Sequence, residues 1–511
     1  MDTKANNISP HKALIAGYIA LITLLSTIFI ICAYAVKDYP GAGYSTENPR
    51  IIAFGDKDGR TVILSPDNAL TVTLEESGKV SDITLSANGR KVFYVLTDTD
   101  GSVLCSRTLS SLTNDRTVIS DRVKSYLISK SNERLAYLTK DGILYYLDSS
   151  NRITEVSERV DDYYLSEDGR TLIYTAGNEI GIPRVYLFDG KSSSLLYKNA
   201  RILDVFGDLE SLLLGSESSL IRFDVRRGTY EILSVSFEKL VASYGDVIYY
   251  SLTNADGSSS LYCHDGNERL LSDKLSSVVF TAKAPMVVFT EMSEDGLSSV
   301  YKLSVGGNGS PITLAGEELV GFIATDDAAQ LFYNDVSGEQ EMLIKATLSG
   351  GTVSKLTVVD TDTDHICGIV LGKVIYIKNF NPISCTADLY CNSERLRSGV
   401  SLTDISELPD HTPAVRSYTW VHRGIIGTGY ACIDVYGADM LTYSAGGKIY
   451  TFDGKDEREI GIGAIKNSFP ISEDTVVLRD DGILRISNGG KFKEKDYTVS
   501  EFIRIKPYGA K

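Results

Sequence analysis

Residues 165–190 read LSEDGRTLIYTAGNEIGIPRVYLFDG. The stretch divides into a tight turn, SEDG, an apolar run, TLIYTA, a loop, NEIGIP, and a second apolar run, RVYLF, closed by DG. Short runs rich in Ile, Leu, Val and Tyr, bounded by Gly, Asp, Asn or Ser, are strands joined by hairpins. In Asp168-Gly169 the glycine accepts the positive φ that a tight turn imposes.

The phrase recurs. Copies begin at Ile83 (ITLSANGRKVFYVLTDTDGSVLCSRTL), Tyr126 (YLISKSNERLAYLTKDGILYYLDSSN), Val241, Val278 and Phe322, with more divergent ones at Val205, Cys367, Tyr436 and Ile471. A period of about 40 residues with four strands per unit is that of a propeller blade, whose small sheet buries both faces against its neighbours. The expected fold is therefore all-β, a β-propeller of four-stranded blades over residues 51–511, with about eight blades in one ring or, alternatively, two smaller rings. Strands in residues 50–75 precede the first full copy and EFIRI, residues 501–505, follows the last, so the two ends are expected to share one composite blade. The Asp-Gly pairs at Asp100, Asp141, Asp168, Asp256 and Asp295 read as turns.

The turn Ser-x-Asp-Gly, a strand ending in Tyr or Phe, and an aromatic strand ending in Asp-Gly together resemble the propeller repeat of TolB. They are similar also to the propellers of the prolyl oligopeptidase family. Ser166 to Asp189 carry the resemblance best, and Ser86 to Tyr94 carry it with Asn88 in place of the aspartate. It implies a platform that binds proteins or peptides, or a gate over a hydrolase. The repeats run on to the C-terminal end and no G-x-S-x-G nucleophile elbow occurs, so the expectation is a propeller without a hydrolase domain and no serine peptidase.

Residues 13–36, ALIAGYIALITLLSTIFIICAYAV, hold no charged side chain over 24 positions. At ~1.5 Å per residue a helix of that length crosses a hydrocarbon core of about 30 Å. Lys4, His11 and Lys12 precede it and only a balanced Lys37-Asp38 follows. The positive-inside rule then leaves residues 1–12 as a cytoplasmic tail and places the propeller outside the cell membrane on a single-pass anchor. Ala33-Tyr34-Ala35 fits a signal-peptidase site, the competing reading, but the apolar stretch is longer than a signal peptide needs. Residues 37–50, with two prolines and two glycines, read as a tether.

Sixty-seven acidic against 51 basic side chains, a formal charge of −16, are spread without a basic stripe. This excludes a nucleic-acid reader, which needs clustered Lys and Arg against phosphates.

Three features point to chemistry. Tyr418, Trp420, His422 and Arg423 make an aromatic and cationic cluster, and on a strand the first three share one face, a candidate surface for a sugar or peptide. Packing between blades accounts for the same residues equally well. Asp360, Asp362 and Asp364 alternate as in calcium loops, but no glycine stands at the sixth position and Leu371 replaces the closing glutamate. Cys385 and Cys391 are the local pair for an extracellular disulfide. No catalytic or cofactor-binding motif is present. The leading expectation is a non-enzymatic binding or scaffolding module for a protein, peptide or envelope polymer. The alternatives are a glycan-active enzyme with its site at the axial channel and an assembly factor of a membrane complex.

Overall fold

The computed structural model describes residues 52–503 apart from short stretches, chiefly 65–70, 109–115, 294–298 and 403–417; beyond residue 402, side chains are described essentially within 441–462. The expected tail, anchor and tether all lie outside the described residues. Among the described residues there is no helix, and hence none long and apolar enough to cross a membrane.

The opening stretch is the heart of one four-stranded unit. Val160–Leu165, Leu172–Gly177, Pro183–Phe188 and Ser193–Lys198 pair antiparallel in chain order. Four further sheets repeat this meander, beginning at Lys79, Val123, Arg201 and Leu319. Asp141-Gly142, Asp168-Gly169 and Asp256-Gly257 turn as expected, each glycine at positive φ.

The second strand of each unit explains how the units stack. Strand residues alternate between faces, so Val92, Tyr94 and Leu96 enter the cluster shared with the preceding unit, while Phe93 and Val95 enter the one shared with the next. The same division recurs at Leu172/Tyr174 against Ile173 and at Met286/Val288 against Val287/Phe289. Among the described residues, successive units are thus glued face to face through shared cores, the β-propeller arrangement.

The sheets do not divide the chain into eight equal blades. Two are seven-stranded and one is eight-stranded, because neighbouring units share hydrogen bonds. Glu268–Thr281 serves as the fourth strand of one unit, pairing Arg269 with Cys263, and then as the first strand of the next, pairing Phe280 with Val288. Lys491–Ile503 does the same at the join of the two chain ends: Phe492 pairs with Ser487, and Phe502 pairs with Phe54. The composite unit expected from the sequence is therefore formed, with the C-terminal strand beside Ile52–Asp56.

Tyrosine is abundant for a structural reason. In five units a second-strand tyrosine sits directly opposite a third-strand tyrosine: Tyr137–Tyr145, Tyr174–Tyr186, Tyr250–Tyr262, Tyr376–Tyr390 and Tyr443–Tyr450. Their rings stack at 5.1–5.6 Å with interplanar angles of 11–22°. Such cross-strand pairs are the sheet's unit of stabilisation, and the hydroxyl ends find partners. Tyr174 pairs with Ser193 Oγ at 2.9 Å, and Tyr250 donates to Glu268. First-strand tyrosines bridge units instead. Tyr126 donates to Thr84 Oγ1 at 3.0 Å, and Tyr163 meets Ser125 Oγ at 2.9 Å.

Tyr163→Phe, which deletes the hydroxyl of that bridge, should cost about 1 kcal/mol in denaturant unfolding. Tyr163→Ala, which also opens a cavity, should cost roughly 3–5 kcal/mol. Truncation after Ser500 removes the partners of Ala53, Phe54 and Gly55; we expect calorimetry to show a lower and broader melting transition, whereas an unchanged one would mean that this pairing contributes nothing.

Candidate recognition clefts

The recurring Ser-x-Asp-Gly is a hydrogen-bonded device at the turn between first and second strands. Ser166, 4% exposed, accepts the Thr171 N–H at 3.0 Å and donates to Asp168 Oδ1 at 2.8 Å, and that oxygen accepts the Arg170 N–H at 2.8 Å. Thr325 repeats the scheme with Gln330 N–H at 3.0 Å, Asp327 Oδ1 at 2.6 Å and Ala329 N–H at 3.0 Å. Ser86 and Ser129 accept the equivalent N–H of Lys91 and Arg134. Such local side-chain bonds are why Ser, Thr and Asp hold turns. Gly169 has a second constraint: a Cβ there would lie 2.7 Å from the Cβ atoms of Ser129 and Arg134 on the neighbouring turn.

Adjacent turns are tied to one another. Lys91 pairs with Glu133 at 3.0 Å, Lys130 with Glu167, and Lys283 with Asp326 at 3.2 Å, while the Glu167 N–H donates to Asp208 Oδ1 at 2.6 Å. Each exposed pair is worth well under ~1 kcal/mol, but the series fixes the turns as one rim.

Two clefts open on this end of the sheets. The first, about 530 Å³, is built by turns of three successive units: Phe280 to Lys283, Ile323 to Gln330, and Ile369 with Gly372. Its floor is apolar, from Phe280, Ile323, Ala324 and Ile369, and the Lys283–Asp326 pair stands at its rim. Phe280 rests on Phe322 at 6.1 Å, and Phe322 on Tyr333 at 5.8 Å, so the floor is rigid. Gln330 lines this cleft with its Oε1 buried and without a hydrogen-bond partner. The second, about 510 Å³, lies within one unit between the turns at Glu210 and Arg226 and the strand residues Arg222 and Tyr230.

Electrostatics around the turns are set locally. The Thr325 hydroxyl and the Ala329 N–H hold Asp327 below the ordinary carboxylate range. Burial of the Asp168 carboxyl opposes ionisation, but the Arg170 N–H and the Ser166 hydroxyl outweigh it, so Asp168 is lowered too. Burial pushes His365 down to about 4, and neither it nor His264 lines a cleft.

The residues singled out in the sequence lie elsewhere. Tyr418, Trp420 and His422 fall on the strand Tyr418–His422, which pairs with Ile425–Gly429 as a two-stranded hairpin, Trp420 opposite Gly427. Alternation puts the three on one face; their side-chain surroundings and Arg423 lie outside the described residues. The three aspartates spread their carboxylates over separate partners. Asp360 accepts from Tyr376 at 2.5 Å and Lys378 at 3.0 Å, Asp362 from Gln340 at 3.2 Å, and Asp364 from the Phe380 N–H at 2.7 Å. Among the described residues no group of three or more His, Cys, Asp and Glu side chains is placed to hold a metal ion. Cys385 and Cys391 are not bonded to each other. Cys385 precedes the extended strand Thr386–Cys391 and Cys391 ends it, and six residues at ~3.3 Å each put them roughly 20 Å apart, far beyond disulfide reach. Neither cleft was legible in the sequence, because the residues of the first come from three separate repeats; the Ser/Thr-x-Asp turn at Thr325 was the available signal.

No protein-family model and no characterised protein matches the chain. Solved structures similar to it include TolB from Agrobacterium tumefaciens, 17% identical over 39% of this chain and 84% of that one, with a TM-score of 0.25. The β-propeller domain of the Trilobed protease from Pyrococcus furiosus is 12% identical over 63% of this chain and 99% of that one, with a TM-score of 0.25. A prolyl endopeptidase is 13% identical over 59% of this chain and 54% of that one, with a TM-score of 0.31. These neighbours are TolB-like and peptidase propellers, the two groups whose repeat the sequence resembles. The fold itself rests on the sheets and their packing, and the activities of these proteins are not carried over.

Because Asp168 and Asp327 have depressed folded-state pKa values, the stability they contribute is present above the unfolded value near ~4 and is lost as pH falls through the folded one. Asp168→Asn/Asp327→Asn should therefore lower the denaturant midpoint at pH 6 and approach wild type by about pH 2.5.

Proposed function

We propose that this chain is a membrane-anchored, extracytoplasmic β-propeller that acts as a non-enzymatic recognition module, gripping an extended segment of a protein or peptide in the first cleft. The observation that carries this is the cleft itself: an apolar floor over a stacked aromatic support, with one buried, unpartnered acceptor at Gln330. An apolar pocket with few placed polar groups is the usual form of a binding site. A small apolar side chain would cover Ile323 and Ile369.

Rigidity supports the same reading. The turns that line the cleft are held by their own hydroxyl–carboxylate bonds and by the neighbouring turn, so little ordering cost falls on binding. The joining of the terminal strands in one sheet supports closure of the propeller. The charge-free residues 13–36 support the anchor, which would hold the cleft near the membrane surface.

A photo-crosslinking residue at Ala324 or Lys283 in intact cells should capture one discrete protein partner that the same residue at Ile153, on an outer strand, does not. Ala282→Trp, which fills the cleft, should abolish crosslinking from Lys283. Equal capture from Ile153, or capture unaffected by Ala282→Trp, would overturn the proposal.

A further inference from the structure

The turns around the first cleft depart from the pattern of the others. In the turn from Ser166 to Thr171, Asp168 stands among cations: Arg170 Nε lies 3.5 Å from its carboxylate, and Arg134 of the preceding unit donates to its carbonyl at 3.1 Å. The turn from Thr325 to Gln330 keeps the same hydrogen bonds, so Asp327 takes the place of Asp168, Ala328 that of Gly169 and Ala329 that of Arg170. The adjoining turn has changed as well. There the Ala282 N–H closes on the Met286 carbonyl, one residue sooner than Ser166 closes on Thr171. A Cβ at Gly169 would collide with its neighbouring turn at 2.7 Å, whereas Ala328 carries its Cβ at a φ of 55°. A shorter turn beside this one, with alanine in place of arginine, leaves the space that the cleft occupies.

The same changes leave Asp327 without a cation. Its Oδ1 accepts the Thr325 hydroxyl at 2.6 Å and the Ala329 N–H at 3.0 Å, and these bonds keep the carboxyl ionised at neutral pH. Among the described residues no lysine, arginine or histidine is paired with it, and Lys283 is engaged by Asp326 at 3.2 Å. The charged groups lining the cleft are therefore two carboxylates and one ammonium, set beside an apolar floor.

We infer that the first cleft selects segments in which a small apolar residue stands next to, or one position from, a lysine or arginine, with Asp327 accepting the basic head. This rests on the reading of the cleft as a peptide site and names the chemistry of its occupant. An alanine or valine side chain settles on Ile323 and Ile369, while the aliphatic stem of the basic residue covers apolar surface and carries its charge to the rim. An acidic segment would meet a rim of net negative charge. A wholly apolar one would cover Asp327 in part without giving it a partner.

The test is selection from a library of random short segments, displayed within a carrier loop so that neither end is free, on the full-length protein held in a non-ionic detergent. Segments retained by wild type but not by Ala282→Trp form the cleft-dependent set; if that set is empty, the peptide-site reading falls and the inference with it. Within the set, lysine or arginine is expected beside Ala or Val. A selected segment resynthesised with norleucine for its basic residue should bind about fivefold more weakly in fluorescence anisotropy. That difference should vanish in Asp327→Asn, whose amide oxygen still accepts from Thr325 and Ala329. A cleft-dependent set lacking basic residues, or a norleucine penalty that persists in Asp327→Asn, would overturn the inference and leave the peptide site standing. Persistence would mean that the overall charge of −16, and not Asp327, attracts the basic residue.

Discussion

Everything in this fold depends on the second strand of each unit belonging to two cores at once. Tyr94 and Phe93 are adjacent in sequence yet sit in different clusters, and the same is true of Tyr174 and Ile173. The four-stranded units share their hydrophobic interiors, so each is stable only between neighbours. The geometry of a cleft formed where three units meet is then as fixed as the core beneath it. At the first cleft, Phe280 and Ile323 belong to the face-to-face packing of the units that also supply its rim.

Much of this was legible in the chain. The Ser-x-Asp-Gly phrase announces a turn because one hydroxyl and one carboxylate satisfy the N–H groups that the turn leaves over, and Ser166 and Thr325 show that chemistry directly. The alternation of large apolar residues announces strands buried on both sides. The pairing of the two chain ends was legible too, because the N-terminal end carries strands without a complete unit and a strand run remains after the last copy.

What escaped the sequence is what depends on separation in space. The stacked tyrosines lie up to 14 residues apart, as Tyr376 and Tyr390 do, and only the register of the hairpin brings them opposite one another. The arginine and tyrosine cleft collects residues from a turn, a third strand and an outer strand, each unremarkable alone. Conversely, three evenly spaced aspartates suggest convergence on paper, yet Asp360 and Asp364 are taken by different partners on the next strand pair. Spacing also suggested a cysteine bridge that an intervening extended strand makes impossible.

Most units are joined by a connection that leaves one outer strand and enters the next inner one. Between the units that share Glu268–Thr281 there is no such connection: the strand simply continues. At this seam there is no loop to lengthen, so an inserted residue would shift register and turn every following side chain of the strand to the opposite face. Where units are joined by loops, the chain can acquire new residues at little cost. Insertions are therefore tolerated least at this junction, whose unbroken strand sets the spacing of the adjacent first cleft.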